Sequence, residues 1–219
     1  MRRDFIVIVG GQGCGKSVWA KAMFRDSKRL IVFDPMRSYP LNYDWDDGDG
    51  NSILSGKARH FRIGTDTPDE IALLFDLAYA AGDCTLIVEE CGVLFTKRQV
   101  LSDSIRRVVF MGRHRRVNLV LIAQRAVSIP VDLRSQANRF ICFRQIEEQD
   151  VNAACAVIGK KYKPIVPALP ELRCVDWHNG MVKTYGLTHK NSRDSVESQN
   201  VGTKTADDEQ TNIEDDESA

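Results

Sequence analysis

No apolar run in this 219-residue chain approaches the roughly 20 residues that a bilayer crossing needs, so no membrane span is expected. The N-terminus, MRRDFIVIVGG, places basic residues ahead of an apolar stretch. That stretch is too short for a secretion signal and runs straight into a glycine-rich loop. The six cysteines (Cys14, Cys84, Cys91, Cys142, Cys155 and Cys174) include no CxxC pair and lack the regular spacing of a disulfide framework. They read as small hydrophobes of a reducing compartment. Cys174 and His178 are half of a zinc pattern with no second pair, so structural zinc is not expected. The aspartates within 35–57 miss the EF-hand spacing and its closing Glu, which argues against calcium. An NKxD-type guanine-reading motif and internal repeats are both missing.

Net charge is also absent, with 30 basic and 30 acidic residues, but the balance is uneven along the chain. Residues 190–219 hold nine acids and three bases; removing them leaves 27 basic and 21 acidic residues, an excess of six positive charges over 1–189. Such an excess favours a polyanionic partner or substrate. The acidic stretch has almost no large apolar residues to offset its ordering entropy. We therefore expect one domain over 1–188 and an acidic, disordered tail over 189–219. The tail suits competition with nucleic acid for a basic face or docking to a basic partner, and equally a solubilising role.

The body of the chain alternates short β-branched runs with amphipathic stretches. Strands are expected at 5–9, 30–33, 59–63, 85–88, 117–123 and 139–143. A hairpin is expected where 174–177 and 181–185 flank His178-Asn179-Gly180. Helices are expected at 16–26, with Val18, Trp19, Ala22 and Met23 inward, and from a Thr67-Pro68-Asp69-Glu70 capping box to Gly82, with Ile71, Leu74, Phe75 and Ala78 inward. Two more are expected at 102–112 and at 147–158, the latter stopped by Gly159. The Asp- and Gly-rich segment 35–57 reads as a surface loop. Strands separated by helices imply an α/β fold: a mostly parallel sheet with helices on both faces and a C-terminal β-hairpin. Ligands of such sheets bind at the carboxyl ends of the strands.

Three polar sites fall at those ends. Gly10-Gly11-Gln12-Gly13-Cys14-Gly15-Lys16-Ser17 satisfies GxxxxGK[ST] in full, between a buried strand and an amphipathic helix. A chance glycine turn would not have that context. Its backbone N–H groups and the helix N-terminus suit a triphosphate, with Lys16 on the β- and γ-phosphates, Ser17 on Mg²⁺ and Val18 beside the nucleotide. Glu89 and Glu90 end the strand TLIV. One serves the metal shell and the other polarises water; Glu89 is taken for the metal and Glu90 for the water, and either of the two carboxylates can be the one that touches the metal shell. Gln124 ends the strand VNLVLIA and either orients that water or senses the γ-phosphate. Asp34, at the end of the second strand, either faces the site or opens the turn at Pro35.

Residues 97–144 carry eleven Lys/Arg against Asp103 and Asp132, densest at Arg113-His114-Arg115-Arg116. Two uses are open: an arginine that reaches a neighbouring subunit's γ-phosphate, or salt-sensitive contacts to a nucleic-acid backbone by Arg106, Arg107, Arg115 and Arg116. Few aromatics interleave this stretch, so base stacking is not its mode. A P-loop kinase, with these arginines as a lid over a second phosphate substrate, is the alternative from a different class. Paired carboxylates favour hydrolysis over it.

GGQGCGKS, IVEE and GRHRRVNLVLIAQR, in this order and spacing across residues 5 to about 145, resemble the FtsK/HerA superfamily of DNA-pumping ATPases. The short core further resembles the genome-packaging ATPases of tailless icosahedral viruses with an internal membrane. The resemblance implies ATP and Mg²⁺ as cofactors and an ATP-hydrolysing translocase of double-stranded DNA. It also implies a homo-oligomeric ring, a hexamer, with ATP sites between subunits. Arg113, or else Arg116, becomes the trans finger and Gln124 the γ-phosphate sensor. Capsid or membrane proteins at a packaging vertex are the implied partners, and host cytoplasm or virion the implied location. A cellular or plasmid DNA-transfer ATPase is the alternative within the class. Glu89 in place of the usual Asp, and the acidic tail, depart from the family pattern.

Overall fold

Runs of four to seven apolar residues can hide both faces only inside a covered sheet, and the computed structural model places them there. It describes residues 4–36, 39, 60–63, 68–95, 101–187 and 196–199. The strands are β1 (Phe5–Val9), β2 (Leu30–Phe33), β3 (His60–Ile63), β4 (Cys84–Val88), β5 (Val117–Ala123), β6 (Arg139–Phe143), β7 (Arg173–His178), β8 (Met181–Leu187) and β9 (Val196–Gln199). They form one nine-stranded sheet in the order β3-β2-β4-β5-β1-β6-β7-β8-β9. The six strands from β3 to β6 are all parallel. The last three add antiparallel at the β6 side. The helices are α1 (Lys16–Phe24), α2 (Pro68–Ala81), α3 (Asp103–Arg106), α4 (Val131–Gln136) and α5 (Glu148–Ile158).

Period-two alternation splits the core in two. Phe5, Val7 and Val9 of β1, with Leu119 and Leu121 of β5, join the core that packs Ile71, Leu74, Phe75 and Ala78 of α2 and Val151, Ala154 and Cys155 of α5. Ile6, Ile8, Val120 and Ile122 face the other way, onto Trp19, Ala20 and Phe24 of α1. Helices therefore cover both faces. The centre is β1, between β5 and β6, so the loop that follows it opens at the middle of the sheet. All six cysteines are free and buried.

Several boundaries differ from the sequence reading. α1 stops at Phe24, and its inward face is Lys16, Trp19, Ala20 and Phe24, while Val18 and Met23 are exposed. The i, i+4 row 16-20-24 is the one aimed at the sheet; Val18 belongs to the face beside the phosphate loop. The expected helix over 102–112 is an α-turn at 103–106, capped by the Ser102 hydroxyl, then a π-helical turn at 107–111 and a 3₁₀ turn at 112–115. The π turn adds a residue to the repeat and brings Val108 and Val109 onto the core side by side. His178 belongs to β7 rather than to the turn. Asn179 and Gly180, both at positive φ, make the two-residue connection that a right-twisted hairpin prefers. Four residues of the expected disordered tail, Val196–Gln199, pair with β8; most of 189–219, Thr67 of the capping box and nearly all of 35–57 lie outside the described residues.

Candidate active site

β1 ends at Val9 and α1 begins at Lys16, so the six residues between must turn a strand into a helix. Gly15 does so at φ 104°, in the left-handed region that an L side chain resists. Gly10 is required for a different reason. A Cβ there would lie 2.5 Å from Phe143 Cβ and 2.6 Å from Cys14 Sγ. The loop is tied to both neighbouring strands: Gly10 N donates to Ala123 O at 3.3 Å, and Gly11 N donates to Arg144 O at 3.1 Å. Gly11, Gln12 and Gly13 are exposed at the bend. Lys16 is buried, and its ammonium donates to Gly10 O and Gly11 O, each at 2.8 Å, with Cys14 Sγ at 4.0 Å. Its three donors are thereby all taken by the loop itself. Burial pushes the Cys14 thiol up despite the nearby Lys16 cation, so Cys14 fills space and is not a nucleophile.

The tip of β4 lies next but one to that of β1, with β5 between them. Glu89 N continues the ladder to Phe33 O at 3.0 Å, which points the Glu89 side chain inward, 4% exposed. Burial raises the Glu89 carboxyl above the usual carboxylate range, while hydrogen bonds from Tyr39 and Ser17 pull it back. Ser17 and Glu89, 72 positions apart in the sequence, are thus in direct contact. Glu90 turns the other way. At φ 48°, ψ 37° it is a non-glycine residue in the left-handed region, a conformation that costs roughly 1–2 kcal/mol and that gathers at working sites. That turn brings Glu90 Oε1 to Gln124 Nε2, which donates at 3.1 Å. The structure therefore groups Lys16, Ser17, Glu89, Glu90 and Gln124 around the carboxyl ends of β1, β4 and β5. Asp34 is fully buried at the end of β2, accepts from Tyr39 N at 2.8 Å, and is not a solvated turn residue.

The basic cluster is elsewhere. Arg113, His114, Arg115 and Arg116 precede β5 and so lie at the amino ends of the strands. The seven residues of β5, about 20 Å of strand, separate them from their own phosphate loop. Three of the four arginines read as backbone contacts for nucleic acid are tied down locally. Arg107 pairs with Asp76 at 3.1 Å, and Arg116 pairs with Asp83. Arg115 donates to Tyr79 O and Ala80 O at 3.1 and 2.7 Å, supplying donors for the last carbonyls of α2. Arg106 and Arg113 are exposed. Arg139 is claimed by the fold: it donates to both oxygens of buried Asp176 and stacks 4.9 Å from the Trp19 ring.

Gln145, Asp150 and Tyr39, three residues that the sequence reading passed over, complete the site. Gln145 Nε2 donates to Gln124 O at 3.0 Å, one residue after Arg144 accepts from Gly11 N. The tip of β6 therefore holds the phosphate loop and Gln124 at once. Asp150, 1% exposed on α5, accepts from Arg125 Nε at 2.9 Å and Val127 N at 3.0 Å, fixing the chain just past Gln124. The signal was available, since Gln145 lies just past a buried strand, one residue further on than Gln124 does. Asp150→Ala leaves the Val127 amide without its acceptor, and we expect a loss of about 2 kcal/mol in denaturant unfolding.

No protein-family model and no curated protein sequence matches the chain. Its fold does match solved structures. The genome packaging NTPase B204 from Sulfolobus turreted icosahedral virus 2, in complex with sulfate, superposes with a TM-score of 0.72 at 20% identity, covering 84% of this chain and 96% of that one. The same protein has been solved with the ATP analogue AMPPCP, again at a TM-score of 0.72. VirB4 of Thermoanaerobacter pseudethanolicus matches with a TM-score of 0.62 at 9% identity, over 84% of this chain and 89% of that one. The pCW3 conjugation coupling protein TcpA matches with a TM-score of 0.53 at 14% identity, over 83% of this chain and 59% of that one. In fold, then, this chain is similar to the viral genome packaging NTPase B204.

Proposed function

We propose that this chain is the ATP-hydrolysing subunit of a ring-shaped motor that moves double-stranded DNA, and that its task is to package a viral genome. The observation that carries the proposal is the meeting of a full phosphate loop, a Ser17–Glu89 contact and a Glu90–Gln124 pair on one sheet edge, in a fold shared with a genome packaging NTPase.

Each residue has a task in that reading. The loop amides and the N-terminus of α1 receive the phosphates, and Lys16 leaves the loop carbonyls for the β- and γ-phosphate oxygens. Ser17 and Glu89 present a hydroxyl and a carboxylate in mutual contact, the oxygen-only set that suits Mg²⁺, which when bound offsets phosphate charge. Glu90 takes the proton of the attacking water, and Gln124, bonded to it, orients that water and reads the γ-phosphate. Exposed Val18 meets the nucleotide from the first turn of α1.

Arg113 lies too far from its own phosphate loop to act there. A neighbouring subunit's nucleotide is the phosphate it serves, which is the arrangement a ring provides. Arg106, Arg107, Arg115 and Arg116 contribute positive potential to a DNA backbone. Exposed ion pairs of the kind that hold Arg107 and Arg116 contribute at most about 1 kcal/mol each and yield to phosphate. No helix among the described residues is long and apolar enough to cross a membrane, so docking at a packaging vertex in the virion or host cytoplasm would rest on capsid or membrane proteins.

A DNA-transfer ATPase of a cell or plasmid is the second reading, favoured by the likeness to TcpA and VirB4. A small-molecule kinase is disfavoured by the Glu90–Gln124 pair, which suits water. The test is phosphate release with and without duplex DNA, alongside a search for any phosphorylated small acceptor. Stimulation by DNA supports the motor; a phosphorylated acceptor replaces it with the kinase. Within the motor, Arg113→Ala should leave ATP binding intact and slow hydrolysis by roughly 10³-fold or more in assembled rings. Weaker DNA binding with normal hydrolysis would move the finger to another arginine.

A further inference from the structure

Tyr39 belongs by composition to the polar segment 35–57, yet it is only 2% exposed. A phenol so enclosed needs a partner for its hydroxyl, and its Oη donates to Glu89 Oε1 at 2.8 Å. Burial and the adjacent Glu89 carboxylate push its ionisation far up, so this hydroxyl stays a donor. The residue is anchored independently of that bond. Its amide donates to Asp34 Oδ2 at 2.8 Å, Lys21 Nζ lies 4.6 Å from the ring centroid, and the ring packs in the core of Trp19, Ala20 and Phe24. Tyr39 thus joins three pieces that meet at the nucleotide site: the tip of β2 through Asp34, the tip of β4 through Glu89, and α1 through its ring.

Glu89 is the member of this group that needs holding. Its side chain turns about three torsions, and a carboxylate free to rotate loses the geometry a ligand requires. Two hydroxyls restrain it, Ser17 and Tyr39, and only Tyr39 is itself fixed by a rigid ring. We infer that Tyr39 is a positioning residue that acts through Glu89, fixing the carboxylate by Oε1 in the orientation that the Ser17 hydroxyl reaches. The inference rests on the reading of Ser17 and Glu89 as the metal-side pair. A tyrosine that merely filled the core would tolerate loss of its hydroxyl without functional change, so the two roles part on one atom.

The experiment compares the full-length wild-type chain with Tyr39→Phe, Glu89→Gln and the double variant. Three measurements are made: Mn²⁺ affinity of the ADP complex by electron paramagnetic resonance, binding of a fluorescent ATP analogue in chelator, and the melting temperature. Tyr39→Phe keeps the ring and the backbone bond to Asp34. Its Mn²⁺ affinity should fall about 10- to 100-fold, with nucleotide binding in chelator unchanged and the melting temperature within a few degrees. The double variant should bind Mn²⁺ no more weakly than Glu89→Gln alone, because the hydroxyl works only through that carboxylate. Wild-type Mn²⁺ affinity in Tyr39→Phe, with Glu89→Gln impaired, overturns the inference and leaves the metal-side reading standing. A melting collapse in Tyr39→Phe also overturns it, making the hydroxyl a support of the core. Wild-type affinity in Glu89→Gln removes the reading beneath both.

Discussion

Lys16→Ala reduces phosphate release from ATP to background, a loss on the order of 10³-fold. The ammonium is already inside the loop, 2.8 Å from both Gly10 O and Gly11 O. Those neutral carbonyls are weaker acceptors than phosphate oxygens, so a bound triphosphate draws the ammonium onto itself with charge-assisted bonds. Alanine leaves that developing negative charge without its buried cation; Arg144, at the neighbouring strand tip, is exposed to water and screened. The same variant frees Gly10 O and Gly11 O, so a small drop in melting temperature is expected and must be separated from the catalytic loss. Nucleotide-analogue binding and thermal melts on one preparation do this. Hydrolysis at the wild-type rate would remove the phosphate loop from the mechanism, and the proposed function with it.

Which parts of this site were legible in the sequence follows from how locally each is specified. The phosphate loop is contiguous, and its constraints are the steric demands of one turn, so Gly10 through Ser17 stand out unaided. Glu89, Glu90 and Gln124 were accessible because a parallel sheet puts strand ends on one edge, a rule that needs only the strand boundaries. That rule reached Gln124 but was not applied to Gln145, which lies two residues past the end of β6 and donates to the Gln124 carbonyl. Tyr39 was hidden for another reason. Its neighbours in sequence are polar, and its burial is decided by Asp34, Lys21 and Glu89, none of which a local window weighs together. The basic stretch was legible as charge density, but the local partners of Arg107, Arg115 and Arg116 on and beside α2 are more than thirty positions away and lie outside any local window. The π turn at 107–111 likewise escapes periodicity, since a single inserted residue shifts the apolar stripe only after Arg107.

Glu90→Gln traps bound ATP. The substitution keeps the shape of the side chain and an Oε1 acceptor, so the 3.1 Å bond from Gln124 Nε2 and the left-handed turn at residue 90 both persist. What disappears is the ability to take a proton from water, a contribution of about 10²- to 10⁴-fold. We therefore expect kcat to fall by that factor while the dissociation constant of a non-hydrolysable analogue stays within about threefold of wild type, a change under 1 kcal/mol. Glu89→Gln supplies the contrast. Glu89 is buried against Ser17 and Tyr39, with no free approach for water comparable to that at partly buried Glu90. Its loss should weaken metal-dependent nucleotide binding as well as turnover. Single-turnover phosphate release, measured beside analogue binding at saturating Mg²⁺, separates the two. Should Glu90→Gln turn over normally while Glu89→Gln binds the metal complex well and hydrolyses nothing, the roles exchange and Gln124 loses its catalytic partner. Residue 90 would then hold a strained backbone conformation with no chemistry to account for it.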